Sequence, residues 1–359
     1  MNTSEGQVPL AKSAGGHTAG PGGPQGGTAP GASDPHKERP KRHASARPGG
    51  RLDLRNLSLL GVLAALVVVG ALTEPDQFLS VQNLQLVLTQ ASVIGVVTVG
   101  VTFVIIGGGI DLSVGAMVAL ATVWATTLAT QEYGAAGILF CALAVGLACG
   151  LVNGLMVSFG SIVPFIATLA MLASARGLAL QISEGRTQIV TVEPVLELGR
   201  RDAYVLGVPP IVLVFAAVTA IGWLVLNRTT FGRRTVAVGG NPEAARLAGI
   251  DVRRQRLMLY LLSGLCCGIA AFLLIVLTGS GQNTNGNLYE LDAIAAAIIG
   301  GTLLSGGRGT ITGSVLGVLV FTTITNLFAL NNLETAVQQI AKGAIIVAAV
   351  LIQRKGRTS

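Results

Sequence analysis

Long apolar blocks alternate with short polar segments along most of the chain, between residues 57 and 353. A block of about 20 apolar residues can cross a hydrocarbon core of about 30 Å as a helix. Backbone groups inside lipid must bond within their own segment, so these blocks are expected to be helices. The pattern predicts an all-α, polytopic membrane helix bundle of about ten transmembrane segments. The predicted segments are 57–73, 85–106, 112–130, 135–158, 162–180, 210–226, 257–278, 291–304, 311–330 and 337–353.

Two glycine-rich breaks interrupt this pattern. The stretches "VIIGGGIDLSVGAMVAL" (104–120) and "AIIGGTLLSGGRGTITGSVLGVLV" (297–320) each join an apolar helix end, a glycine-rich break and a second apolar block. Broken helices at matching positions are typical of transporter repeats, although short shared words are also common in a chain rich in Gly and Ala. Block 291–304 has only fourteen residues, so it is a candidate half-span.

Small residues crowd the blocks themselves, as in "ALAVGLACGLVNGLMV" (142–157). Lipid gives helices no hydrophobic reason to associate, and small residues let their backbones approach closely. The apolar blocks therefore predict a tightly packed bundle.

The amino-terminal 56 residues have a different composition. They are rich in Gly, Pro, Ala and Ser and have almost no large apolar side chains, so they predict a disordered tail. The tail ends in the basic run "HKERPKRHASARPGGRLDLR". A nucleic-acid patch is one interpretation of such a run. We favour the other, in which Lys and Arg before a first span keep that end in the cytoplasm and no nucleic acid is bound.

Overall composition and loop charges agree with this interpretation. The chain is 51% hydrophobic and only 11% charged, with a net charge of +7 and a mean hydropathy of +0.67. Loop 227–256 carries seven arginines against Glu243 and Asp251, a net charge of +5. The positive-inside rule then places this loop, both termini and the tail 354–359 in the cytoplasm of a cell-membrane protein. Surface lipid is an expected partner.

The chain offers little for catalysis. All three histidines lie in the tail, at His17, His36 and His43, so the membrane domain 57–353 has no Ser-His-Asp triad and no histidine metal site. No P-loop motif occurs, so ATP hydrolysis by this chain is not expected. We expect a non-catalytic subunit without a metal or a cofactor.

The segment "GGNPEAARLAGIDV" (239–252) predicts a short helix in the basic loop. Asn241 is a good N-cap, Pro242 suits the first helical position, Glu243 complements the helix dipole and Gly249 suits the C-terminal stop. Several apolar residues lie between these signals. The helix either packs back on its own bundle or docks into a partner.

Polar residues within or beside the blocks are the candidates for a translocation path. An ionisable group at membrane depth faces a cavity, a partner or the bundle interior, and one that precedes a helix can also cap it. Asp111 and Ser113 fit both descriptions at the start of block 112–130. Arg176 could snorkel outward or pair with Asp111 or Asp292. The candidates for the path or for a hinge are Gly107, Gly108, Gly109, Asp111, Ser113, Asn153, Arg176 and Asp292.

Three motifs, in the same order, resemble those of a known family. The segment at 239–252 is similar to the E-A-A loop of permease subunits of ATP-binding-cassette importers. The run "GGGIDLSVG" (107–115) and "YELDAIAAAIIGGTLLSGGRGTITGSVLG" (289–317) resemble the monosaccharide branch of those permeases, of the ribose, xylose, arabinose and galactose type. The resemblance covers about residues 57 to 353.

This resemblance implies a transmembrane permease subunit of an ATP-driven sugar importer. It assigns Glu243, Ala244, Ala245 and Gly249 to a cytoplasmic coupling helix that contacts an ATPase subunit. It also implies a second permease copy and an extracellular sugar-binding protein as partners. A secondary carrier for a small polar solute is the alternative. Such a carrier would need intramembrane carboxylates or histidines as an ion relay.

Overall fold

A computed structural model describes residues 54–200, 203–205 and 207–355 of the chain. The expected disordered tail lies outside these residues, apart from 54–56, which are already helical. The helices are α1 (Leu54–Thr73), α2 (Pro75–Phe78), α3 (Val81–Ile106), α4 (Val114–Ala125), α5 (Leu128–Gln131), α6 (Gly134–Ser158), α7 (Pro164–Ser183), α8 (Glu193–Leu198), α9 (Pro210–Arg228), α10 (Thr230–Gly240), α11 (Pro242–Leu247), α12 (Val252–Thr278), α13 (Tyr289–Ile299), α14 (Ile311–Leu330) and α15 (Thr335–Lys355). Two short antiparallel strands, β1 (Gln188–Ile189) and β2 (Ser280–Gly281), pair with each other.

The prediction of an all-α membrane bundle is confirmed, and each predicted apolar block contains a helix. Among the described residues, seven helices are long and apolar enough to cross a membrane, namely α1, α3, α6, α7, α9, α12 and α14. Shorter apolar helices lie at Val114–Ala125, which is α4, and at Thr335–Ala348, within α15. The bundle therefore contains both full crossings and shorter helices.

Helices α4 and α13 are too short to cross on their own. With 12 and 11 residues, they extend about 18 and 16 Å at 1.5 Å per residue. The half-span expected at 291–304 agrees with α13. The full span predicted at 112–130 was wrong, because the helix begins only at Val114 and ends at Ala125. Thr127 then caps the separate helix α5 by accepting a hydrogen bond from the Thr130 amide.

The chain around α4 nevertheless crosses much of the bundle. Gly107 lies against Leu259 in the first turns of α12, and Asp111 bonds Ser263 near the middle of α12. The carboxyl end of α4 lies beside β2, which directly follows α12. Residues 107–111 therefore pass, without forming a helix, from the level of Leu259 to that of Ser263 on α12, and α4 extends from there toward β2.

The centre of the bundle is the packing of α12 against α6. Gly146 and Gly150 of α6 face Gly264 and Gly268 of α12 at backbone contact. A Cβ atom on Gly268 would lie 2.7 Å from the Ala142 carbonyl oxygen, and one on Gly264 would lie 2.9 Å from the Gly150 Cα. The small residues of segment 142–157 thus make the close approach that the sequence predicts.

The basic loop predicted at 227–256 is mostly helical. Helix α9 continues to Arg228, α10 and α11 follow, and α12 starts at Val252. Helix α10 was not predicted. Its buried face consists of small or short side chains, which give only a weak hydrophobic signal: Gly232, Thr235, Val238 and Gly239.

Candidate functional site

Helix α11 forms where the capping signals predict it. The Asn241 side-chain oxygen accepts hydrogen bonds from the amides of Glu243 and Ala244, both at 3.0 Å. Gly249 has φ of +81°, and the amides of Gly249 and Ile250 bond back to carbonyls of the last turn at 3.0 Å. This is the Schellman arrangement that closes a helix at a glycine. The short helix is fixed locally at both ends.

Most of α11 projects away from the bundle. Only Ala245 is buried, whereas Glu243, Ala244 and Gly249 are exposed. Leu247 is 85% exposed, an unusual position for a leucine in a short helix bounded by caps. Ala245 therefore anchors the helix on its own bundle, as one of the two interpretations expects. Docking to a partner, the other interpretation, stays a prediction, and the exposed residues are the surface available for it.

Three glycine-rich segments meet directly behind α11. We call Gly108, Gly239, Gly240, Gly306 and Gly307 the glycine junction. It joins three segments that are far apart in the sequence: the first break (107–113, between α3 and α4), the end of α10, and the second break (300–310, between α13 and α14). The Gly307 amide donates a 2.8 Å hydrogen bond to the Ile106 carbonyl oxygen, so the two breaks are also linked through backbone.

The junction can contain only glycine at its tightest points. A Cβ atom on Gly306 would lie 2.9 Å from the Gly108 Cα, and one on Gly307 would lie 2.8 Å from the Gly240 Cα. Gly306 and Gly307 also have φ of +81° and +74°, a region that side chains disfavour. Gly240 directly precedes Asn241, the N-cap of α11. The residues that lead into α11 therefore contact both breaks through backbone atoms.

A buried polar cluster follows the first break. Asp111, Ser113, Asn153 and Ser263 are all 0% exposed. The Asp111 carboxylate accepts hydrogen bonds from the Ser113 amide (3.0 Å), the Ser113 hydroxyl (2.6 Å) and, on its other oxygen, the Ser263 hydroxyl (2.9 Å). Asn153 donates to the Ser113 hydroxyl at 2.8 Å. The cluster ties residues 111–113 to α6 and α12.

The role of Asp111 differs from the expected cap. Ser113 is the N-cap residue of α4, but its side chain makes no cap hydrogen bond to that helix. Asp111 turns toward α12 instead, so its charge is met by hydroxyl and amide donors. Asp111 has no exposed surface in this conformation. Of the three surroundings considered from the sequence, a cavity, a partner or the bundle interior, it lies in the bundle interior. The carboxamide oxygen of Asn153 is buried and has no hydrogen-bond partner.

Of the two alternatives for Arg176, outward snorkelling or pairing with Asp111 or Asp292, the pairing was wrong. Arg176 donates to the carbonyl oxygens of Asn283 and Asn285 at 2.6 and 3.0 Å, and so holds the segment between β2 and α13. Asp292 lies in the first turn of α13 and pairs with Lys342 of α15 at 3.3 Å. Each of the two carboxylates has another partner, and Arg176 binds backbone.

Sequence reasoning missed several of these partners. Ser263 and Lys342 are single polar residues in apolar helices, and their partners lie 152 and 50 residues away. The pairs Gly239–Gly240 and Gly306–Gly307 were visible as dipeptides, but nothing local indicates that they meet. Among the described residues, no group of three or more His, Cys, Asp or Glu could hold a metal ion.

A family model described as the permease component of the branched-chain amino acid transport system matches residues 83–350, which include both breaks and α11. The chain belongs to this permease family. No solved structure is a significant match to the permease.

Curated relatives of the permease are named for sugars. The ribose import permease protein RbsC of Bacillus subtilis (strain 168) is 39% identical over 295 residues, or 82% of this chain and 91% of the relative. The L-arabinose ABC transporter permease protein AraH of Azospirillum brasilense is 35% identical over 332 residues, or 91% and 97%. The galactose/methyl galactoside import permease protein MglC of Escherichia coli (strain K12) is 35% identical over 310 residues, or 81% and 91%.

These relatives confirm the resemblance to the monosaccharide branch that the three motifs indicate. The permease is a multi-pass membrane protein, and its relatives are permease subunits of importers.

Proposed function

We propose that this chain forms the translocation path of an ATP-driven monosaccharide importer, as a pair of identical permease subunits. Relatives named for ribose, arabinose and galactose support the substrate class. The observation that carries the mechanism is the glycine junction, because it connects an exposed, capped helix to both breaks of the bundle. A sugar-binding protein delivers the substrate, and a separate ATPase subunit supplies the energy.

Helix α11 is the docking element for the ATPase. Glu243, Ala244 and Leu247 form its exposed surface, and Gly249 and Asn241 keep the helix short and fixed. Because the helix is rigid, a movement of the bound ATPase subunit displaces the base of the helix by nearly the same distance. In this proposal α11, both termini and the basic loop lie in the cytoplasm, as the loop charges indicate.

The junction converts this displacement into a change of access. When α11 moves, the end of α10 moves with it, and Gly239 and Gly240 press on the two breaks through backbone contacts. The breaks are non-helical segments within a bundle of helices. Transporters commonly place such interrupted helices at the site around which access alternates. Gly107, Gly108 and Gly109 act as the hinge of this movement.

The buried polar cluster and its neighbours lie along the path. Asp111, Ser113 and Asn153 supply hydroxyl, carboxylate and carboxamide groups near the middle of the bundle, and these are groups that bind sugar hydroxyls. The buried oxygen of Asn153 has no hydrogen-bond partner, and a ligand would reach it only when the bundle opens. Arg176 and Asp292 fix the start of α13 beside this path. Weak, distributed contacts suit a path that must release its substrate.

The docking role of α11 is tested by Leu247→Glu, which puts a charge on its most exposed apolar residue. Loss of an interface anchor costs at least 2 kcal/mol, so binding of the ATPase is expected to weaken roughly 30-fold. The measurement is capture of the ATPase by the purified permease, followed by ATP-dependent sugar uptake in proteoliposomes whose ion gradients are collapsed.

The matched control is Leu198→Glu. Leu198 is also exposed but lies in α8, which packs near the carboxyl end of α12, away from α11. It should leave ATPase capture unchanged. Equal capture by the Leu247 variant and the wild type would contradict the docking role, and uptake without any ATPase would favour a secondary carrier.

A further inference from the structure

A second feature beside α11 is a cleft on the same side of the bundle. It lies between the turn that joins α6 to α7 and the segment from α11 to the start of α12, and its volume is about 390 Å³. Its walls combine arginines, a buried serine and exposed apolar residues. The proposed transport function assigns no ligand to it.

The positive charge of the cleft favours binding of an anion. Arg246, Arg253 and Arg256 line it together with a single acidic residue, Glu243. Arg246 is the partner of Glu243, at 2.9 Å. Neither Arg253 nor Arg256 makes an ion pair among the described residues, and Arg256 is partly buried. Arginine pairs with phosphate oxygens through two parallel N–H groups, so two such side chains in one cleft favour a phosphate group.

The buried serine is a second, independent indication of a ligand. Ser158 ends α6, lines the cleft and has 4% of its surface exposed. Its hydroxyl oxygen is buried and has no hydrogen-bond partner. An unpaired buried hydroxyl costs free energy, and a phosphate oxygen in the cleft is an acceptor that would satisfy it.

The apolar residues identify the source of that phosphate. Ile162 and Val163 line the same cleft and are exposed. Phe165, Ile166 and Leu169 continue from them along the exposed face of α7. A phospholipid matches both halves of this surface, with its phosphate among the arginines and its acyl chain along α7. Free phosphate or an acidic peptide matches only the charged half.

We propose that this cleft binds the headgroup of an anionic phospholipid, with Arg253 and Arg256 on the phosphate and Ser158 as an added donor. Basic pockets between transmembrane helices are known to hold anionic headgroups. Because Arg256 also lines the small cavity beside Gly107, Gly108 and Gly109, the lipid sits directly behind the first break.

The experiment is native mass spectrometry of the full-length permease, purified and exchanged into detergent with phosphatidylglycerol or phosphatidylcholine. The wild type should retain phosphatidylglycerol in preference to phosphatidylcholine. Each arginine near a membrane surface contributes about a factor of five to anionic lipid binding, so the double variant R253A/R256A is expected to bind phosphatidylglycerol about 30-fold more weakly. Ser158→Ala should lower retention by a smaller factor.

Arg234→Ala is the matched control, because Arg234 is exposed on α10 and does not line the cleft. This variant should leave retention of phosphatidylglycerol unchanged. Size-exclusion chromatography is used to check that each variant is folded. Equal retention of both lipids, or equal losses in the control and the double variant, would overturn the proposal. Complete displacement by millimolar inorganic phosphate would assign the cleft to free phosphate, and complete displacement by the ATPase subunit would assign it to that interface.

Discussion

The glycine junction makes a sharp prediction about two neighbouring residues, Gly239 and Gly240. Gly239→Ala adds one methyl group where α10 meets both breaks. That Cβ would overlap the Ile106 carbonyl oxygen and lie 2.7 Å from the Gly307 nitrogen. Both are backbone atoms, so no side chain can rotate away to make room. The methyl group must displace α10 or separate the two breaks.

The size of the effect follows from these contacts. Adding a methyl group to a packed site costs about 1–3 kcal/mol. The atoms it meets are also the partners in the 2.8 Å hydrogen bond from Gly307 to Ile106, and weakening that bond adds about 1 kcal/mol. Alanine regains up to about 1 kcal/mol of helix propensity. The net loss in the free energy of unfolding is therefore about 1–3 kcal/mol.

Gly240→Ala is a control of the same chemistry at the next position. Its Cβ would meet nothing within 4 Å, and it gains the same helix propensity. It should leave stability unchanged or slightly raised. The difference in unfolding free energy between the two variants is thus expected to be about 1–4 kcal/mol, measured by denaturant titration of tryptophan fluorescence from Trp124 and Trp223.

Function should separate the two variants as well. Because Gly239→Ala leaves the exposed surface of α11 intact, the ATPase should still bind, but the sugar transported per ATP hydrolysed should fall. The measurement is uptake and phosphate release in the same proteoliposomes. If both alanine variants transported and unfolded alike, the junction would not be a tight contact and its role in coupling would be refuted.

Two further predictions concern buried polar contacts. Lys342→Met leaves the Asp292 carboxylate, whose side chain is only 9% exposed, without its cation. The free energy of unfolding should therefore fall by about 3 kcal/mol. In a double-mutant cycle, adding Asp292→Asn should recover much of this loss. Ser263→Ala removes one donor from buried Asp111 and should cost about 1–3 kcal/mol. Ser92→Ala, at a buried serine whose hydroxyl bonds only its own helix, should cost less; equal losses would argue against a special role of the Asp111 cluster.

Features set by neighbouring residues could be predicted from the sequence. The caps of α11 depend on Asn241 and Gly249, which act on amides and carbonyls within a few residues. The apolar blocks located the helices because length and hydropathy alone decide whether a segment can cross lipid. The two glycine-rich breaks were visible because they interrupt these blocks.

Features set by distant residues could not be predicted. Asp111 precedes a helix, and a cap was the reasonable local expectation. Its partner Ser263 comes from another helix 152 residues away, and one serine in an apolar helix carries no signal of that contact. The length of α4 shows the same limit. Its apolar sequence continues to residue 130, but the chain stops the helix at Ala125, where Thr126 meets Gln188 and β2 packs alongside.

In the proposed mechanism, the junction links both breaks to one movement. Gly108 belongs to the segment before α4, and Gly306 and Gly307 belong to the segment before α14, yet each meets the end of α10. Backbone atoms in contact cannot absorb a shift by changing rotamers, as long side chains do, so close-packed elements move together or separate. A displacement at α11 must therefore reach both breaks at once. Gly239 makes this contact with no space for a side chain, whereas the Cβ position of Gly240 is open.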